Sequence, residues 1–202
     1  MSTAPDGADR VVDTPLTVPN LITVVRLALI PVYLWVLFSR HAYIGAGVLL
    51  GALGMTDFVD GRIARRFNQV STLGKVLDPA VDRILVVTAV ITVTWVGAVP
   101  VWFAVLTLAR EILVSATVLI LAAMGAARID VVFIGKVGSA LMMSAYPWFL
   151  IAHGPATWQS WLHVAAWVAG LAGLVCGWIA AFAYVAPARA ALAAGRAGRQ
   201  ST

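Results

Sequence analysis

Charge and cysteine are both scarce in this 202-residue chain. Only 11% of its residues are Asp, Glu, Lys or Arg, and Cys176 is its single cysteine. Soluble domains carry roughly twice that charged fraction. A fold of this length also has too little interior to hide a composition that is 61% hydrophobic. The two figures exclude an ordinary soluble domain. A lone cysteine excludes an internal disulfide and any cysteine cluster, and Cys176, inside an apolar run, reads as a small buried hydrophobe. His41, His153 and His163 share no ligand spacing and are assigned no role. The net charge of +5 comes from basic residues scattered singly or in pairs, with no aromatic-interleaved patch, so nucleic acid is not the expected partner. The N-terminus lacks a basic n-region and an apolar h-region, so no secretory signal is expected. Asp6, Asp9 and Asp13 argue against a mitochondrial transit peptide. Residues 1–16 read as a disordered tail and residues 187–202 as a basic tail.

What the chain does have is apolar length. Six segments, at about 20–39, 42–58, 77–96, 101–124, 132–152 and 158–185, approach the ~20 residues that a helix needs to cross a bilayer. The expected fold is all-α, a polytopic membrane protein of six transmembrane helices in one domain spanning 17–186. With the N-terminus inside, Arg10, Arg62, Arg65, Arg66, Lys75, Arg128, Lys136, Arg189, Arg196 and Arg199 fall on the cytoplasmic side, and only Arg40 falls outside. That asymmetry predicts both termini in the cytoplasm. Trp35, Trp95, Trp102, Trp158 and Trp161 then gather at the outer ends as an interfacial belt.

Charge concentrates in one place, DFVDGRIARRFNQVSTLGKVLDPAVDR at residues 57–83. Asp57 and Asp60 are three apart, and Asp78 and Asp82 four apart, so on helices each pair shares a face. Two like charges ~5 Å apart repel by about 3 kcal/mol at an effective dielectric near 20. Helix capping or pairing with Arg62, Arg65 and Arg83 would suit one aspartate. Four converging carboxylates suit divalent cations better, and an oxygen-only donor set fits Mg2+, Mn2+ or Ca2+ rather than zinc. Gly61 and Ala64 share the face of Asp57 and Asp60 and leave room for a ligand or for a close helix neighbour, while Arg65 supplies a fork suited to phosphate oxygens.

The full pattern, D-x2-D-G-x2-A-R-x8-G-x3-D-x3-D over residues 57–82, resembles the signature of the CDP-alcohol phosphotransferase family at every defined position. The resemblance implies an integral membrane enzyme that moves a phosphatidyl or related group from a CDP-linked donor to an alcohol, releasing CMP. It further implies a two-metal site of Mg2+ or Mn2+ on Asp57, Asp60, Asp78 and Asp82, with Asp82 as general base toward the acceptor hydroxyl. Gly61, Ala64, Arg65 and Gly74, with Asp57 and Asp60, would bind the CDP donor. A homodimer in the inner (cytoplasmic) membrane, with its active site facing the cytoplasm, is the form that the family implies.

Charge elsewhere bears on the acceptor. Arg110 and Glu111 lie mid-segment, Lys136 opens the fifth segment, and Arg26 lies in the first. Unpaired charge there is costly. The three cations are candidates for binding an acceptor phosphate, against the simpler alternative of an Arg110–Glu111 pair and a snorkelling Lys136. The stretches LTVPNLITVVRLALIP, AREI and IGK resemble the branch holding phosphatidylglycerophosphate synthases and CDP-alcohol-type cardiolipin synthases. The former carry an Arg, a Lys-Thr pair and a Gln where this chain has Val118, Gly138, Ser139 and Met142. The expected reaction is therefore transfer from CDP-diacylglycerol to phosphatidylglycerol, giving cardiolipin, with glycerol 3-phosphate as the alternative acceptor. A divalent-cation transporter is the alternative of a different class, but it has no need of Gly61, Ala64 and Arg65 at these offsets.

Overall fold

In the computed structural model the chain is described over residues 18–67, 74–123, 133–154 and 159–183, with side chains except at 18–20, 57–67, 74–79, 118 and 121–123. Among the described residues there are six α-helices and no strand: α1 (Val18–Phe38), α2 (Tyr43–Phe67), α3 (Gly74–Trp95), α4 (Val101–Ala123), α5 (Phe133–Ala152) and α6 (Gln159–Ala183). All-α was the expectation, and each expected segment overlaps one helix, with α2 running on through the charged stretch to Phe67. The expected tails at 1–16 and 187–202 lie outside the described residues.

The chain divides into two compact units, residues 1–88 and 89–202, with the division inside α3. In the first unit α1 packs on α2. Pro19 sits in the first turn of α1, where its missing N–H costs nothing. The buried residues of α1 are Thr23, Arg26, Ile30, Tyr33 and Leu37, an alternating three-and-four spacing that puts them on one stripe. Its other faces carry Leu21, Val24, Val25, Leu27, Val32 and Trp35, all exposed. A helix whose outward faces are this apolar suits a hydrocarbon surround. The α1 end is closed by Ser39 N–H on the Trp35 carbonyl at 2.9 Å and by His41 in the left-handed region at φ 49°. The Arg40 guanidinium lies 5.5 Å over the Trp35 ring.

In the second unit α5 and α6 pack along much of their length, and α4 packs on α6. Aromatic rings fill one end: Phe103 meets Phe149 at 5.9 Å and Trp167 at 5.4 Å, both edge-on. His163, given no role by the sequence, lies edge-on to Phe149 and Trp167. Gln159, buried at the start of α6, donates from Nε2 to the Ile151 carbonyl of α5 at 2.6 Å and ties the two helices together. Further along, glycines let the backbones touch. A Cβ on Gly138 would stand 2.9 Å from the Gly177 nitrogen and 3.0 Å from the Gly173 oxygen. Cys176 lies at this contact, its Cβ 3.2 Å from the same point, in keeping with its reading as a small packing residue.

Two described helical stretches are long and apolar enough to cross a membrane, Leu21–Phe38 and Gln159–Ala183, and Tyr43–Thr56 is a shorter apolar stretch.

Candidate functional site

The acidic pattern divides between two helices of the first unit. α2 runs through to Phe67 and carries Asp57, Asp60, Gly61, Ala64 and Arg65. α3 begins at Gly74 and carries Asp78 and Asp82. Helical geometry places positions 57, 60, 61 and 64 on one face, as the spacing predicts. The side chains of Asp57, Asp60, Ala64, Arg65 and Asp78, and residues 68–73 altogether, lie outside the described residues. Among the described residues no three His, Cys, Asp or Glu side chains come together. The donor chemistry nonetheless fits a hard divalent cation: two pairs of carboxylates, each pair within about one turn of its own helix, on two successive helices.

Asp82 is described, and it has a partner. Its Oδ1 accepts from Arg26 Nη1 of α1 at 2.5 Å. The guanidinium side is 2% exposed and the carboxylate side 34%. A guanidinium this deep needs a counter-charge, because removing an ion from water costs several kcal/mol unless a partner offsets it. The stripe that buries α1 therefore carries Arg26 inward to an aspartate 56 residues further along. The sequence offered Arg26 as an acceptor cation; the structure sets it against the carboxylate expected to act as base.

In the second unit Arg110 is the buried cation of α4, 5% exposed. It forms an ion pair with Glu111, the next residue, and donates from Nη2 to Ser139 Oγ of α5 at 3.2 Å. The simpler sequence alternative, an Arg110–Glu111 pair, is thus present. Lys136 is exposed and lies one helical turn before Ser139 on the same face. The structure accordingly brings the Arg110 guanidinium to the stretch of α5 that carries Lys136.

Position 138 acquires a second meaning. Sequence comparison makes Gly138 a place where a polar group is missing. The backbone of α6 at Gly173 and Gly177 occupies the space where any side chain would start, so glycine is also what lets α5 and α6 meet. Met142 is buried there against Gly173. The Val118 side chain lies outside the described residues. Gly177 and the Ser139 contact to Arg110 escaped sequence reasoning. The G-x2-G-x3-G run at Gly170, Gly173 and Gly177 is the one signal that pointed toward close packing.

The helices and their acidic residues do not by themselves name a reaction; comparison with known proteins does. Residues 16–172 match the family described as CDP-alcohol phosphatidyltransferase, and the chain belongs to that family. It is therefore an enzyme, a transferase of phosphate-containing groups, rather than a cation transporter. A Streptomyces coelicolor protein named cardiolipin synthase (CMP-forming) is 35% identical over 182 residues, covering 88% of this chain and 85% of the relative. A Mycobacterium tuberculosis protein provisionally named a cardiolipin synthase is 39% identical over 163 residues, 81% of this chain and 73% of the relative. A Bacillus subtilis protein named CDP-diacylglycerol–glycerol-3-phosphate 3-phosphatidyltransferase is 30% identical over 182 residues, 79% of this chain and 91% of the relative.

Proposed function

We propose that this protein is a membrane phospholipid synthase that transfers the phosphatidyl group of CDP-diacylglycerol to phosphatidylglycerol, forming cardiolipin and releasing CMP. The observation that carries the reading is the complete acidic pattern on α2 and α3, in a chain whose relatives include a CMP-forming cardiolipin synthase. In the reaction an acceptor hydroxyl oxygen bonds to the phosphatidyl phosphorus, the bond from that phosphorus to the CMP oxygen breaks, and the hydroxyl proton leaves to a base.

Asp57, Asp60, Asp78 and Asp82 would hold two divalent cations, Mg2+ or Mn2+. When bound, these supply charge neutralisation at the donor pyrophosphate and the departing CMP. Asp82 takes the proton of the acceptor hydroxyl, and Arg26 fixes the orientation of that carboxylate. Gly61, Ala64, Arg65 and Gly74 receive the cytidine and phosphates of the donor, with Arg65 supplying a planar fork. Arg110 and Lys136 bind the acceptor phosphate. A phosphodiester brings one charge and its own apolar tails, which suits the small or apolar residues at 138, 139 and 142 better than a dianionic monoester would.

All six helices cross the inner membrane in this reading, with both termini and the active site cytoplasmic, and the working form is a homodimer. Large apolar side chains exposed on every helix support the bilayer surround, among them Val48 on α2, Ile91 on α3, Ile112 on α4 and Phe133 on α5.

The test offers the purified chain CDP-diacylglycerol with Mg2+ or Mn2+ and, in separate reactions, phosphatidylglycerol, glycerol 3-phosphate, inositol phosphate or serine. CMP release with phosphatidylglycerol is expected, and Asp57→Asn should lower it by at least about 10–100-fold, what loss of even an outer partner of a metal site costs. Release with glycerol 3-phosphate alone would make the phosphatidylglycerophosphate synthase assignment correct. No release above the Asp57→Asn control, with any acceptor, sinks the transferase reading.

A further inference from the structure

The geometry points to Gly177 as a specificity-determining residue of the acceptor site: its missing Cβ leaves the slot that seats the Arg110 guanidinium against α6, within reach of Ser139. The inference rests on the acceptor role proposed for Arg110. A Cβ on Gly177 would stand 2.7 Å from Arg110 Nε, 3.2 Å from Cζ and 3.3 Å from Cδ. All three are side-chain atoms at the far end of a flexible residue. Gly138 and Gly173 differ, because a Cβ on either meets helix backbone at 2.9–3.0 Å. At those two the missing Cβ is what lets α5 and α6 meet, a seam to which Gly177 contributes its backbone nitrogen. Gly177 holds a place for an arginine.

Three helices fix that arginine. Glu111 pairs with it from its own helix, Ser139 accepts from it on α5, and the bare backbone at Gly177 lets it approach α6 closely. A guanidinium is planar and presents its donors as a rigid fork, so its seat determines which way the fork faces. Arg110 and Lys136, less Glu111, sum to one positive charge over α4 and the start of α5. One charge matches a phosphodiester and falls short of a phosphate monoester dianion. A displaced Arg110 would keep its charge but lose its aim, so Gly177 should govern discrimination between acceptors rather than binding of the CDP donor.

The experiment measures KM for phosphatidylglycerol and for CDP-diacylglycerol, and the kcat/KM ratio of phosphatidylglycerol over glycerol 3-phosphate. Its proteins are the wild-type chain and the Gly177→Ala, Ser139→Ala and Ser139→Thr variants. Gly177→Ala should raise the acceptor KM roughly tenfold, the worth of one charge-assisted hydrogen bond. It should lower the acceptor ratio and leave the donor KM unchanged. Ser139→Ala should shift the same way by less, and Ser139→Thr should restore the wild-type value. In an Arg110→Lys background, Gly177→Ala should add nothing, because the group it displaces is gone. Equal rises in both KM values, full additivity in that background, or a large fall in the thermal midpoint of Gly177→Ala would each overturn the assignment, since α6 rather than Arg110 would have moved. Wild-type turnover with an unaltered Gly177→Ala would overturn this inference alone. A wild-type chain that releases no CMP with any acceptor would overturn the reading beneath it as well.

Discussion

Arg26 and Asp82 are joined across 56 residues, and the two ends of that bond are unequally exposed. The inequality has a measurable effect. Replacing Asp82 with Asn removes the counter-charge of a deeply buried guanidinium, whereas replacing Arg26 with Met leaves a carboxylate that already reaches water. Losing one partner of a buried pair costs about 3–5 kcal/mol when the remaining charge stays buried. Asp82→Asn should therefore lower the thermal midpoint in detergent more than Arg26→Met does, and the reverse order would show that Asp82 is not the main counter-charge of Arg26. Activity lost in Asp82→Asn consequently has to be read beside its stability. Sequence alone assigned Arg26 by its sign and its apolar surroundings. It could not supply the partner, because nothing local joins α1 to α3. The four aspartates were legible for the opposite reason: their spacing is a property of single helices and needs no tertiary knowledge.

At the scale of the helices, sequence was informative about length and poor about distance. Each largely apolar run of ~20 residues became a helix, the conformation in which a single segment satisfies its own backbone polar groups. The contact between α5 and α6 is another matter. It depends on Gly138 meeting Gly173 and Gly177 across two helices, and no periodicity within either helix announces that match. Gln159 is similar, since a buried amide reaching the Ile151 carbonyl reads in sequence as an ordinary polar residue at a helix start. Gly138→Ala should show the cost of the contact. Helix propensity favours alanine by about 1 kcal/mol, but overpacking against immovable backbone costs about 1–3 kcal/mol. A net fall in thermal midpoint is expected, and a rise would mean that the helices separate without penalty.

For the molecule as a whole, the proposed topology makes a labelling prediction. A thiol introduced by Ser39→Cys, in a Cys176→Ser background, should react with a membrane-impermeant maleimide on intact cells. One introduced by Thr202→Cys should react only after permeabilisation. Labelling of both in intact cells would contradict the six-helix arrangement with cytoplasmic termini. Exposed Trp35, Trp95, Trp102 and Trp161 lie at the helix ends assigned outward, where an amphipathic ring is most at home. The close seam between α5 and α6 also constrains how this enzyme could change its acceptor over evolutionary time. A lysine at position 138 cannot simply appear, because α6 must first retreat or bend, and Arg110 leans on the same stretch of α6. Substrate exchange is therefore a path through coupled substitutions on two helices, with a less well packed protein as its midpoint.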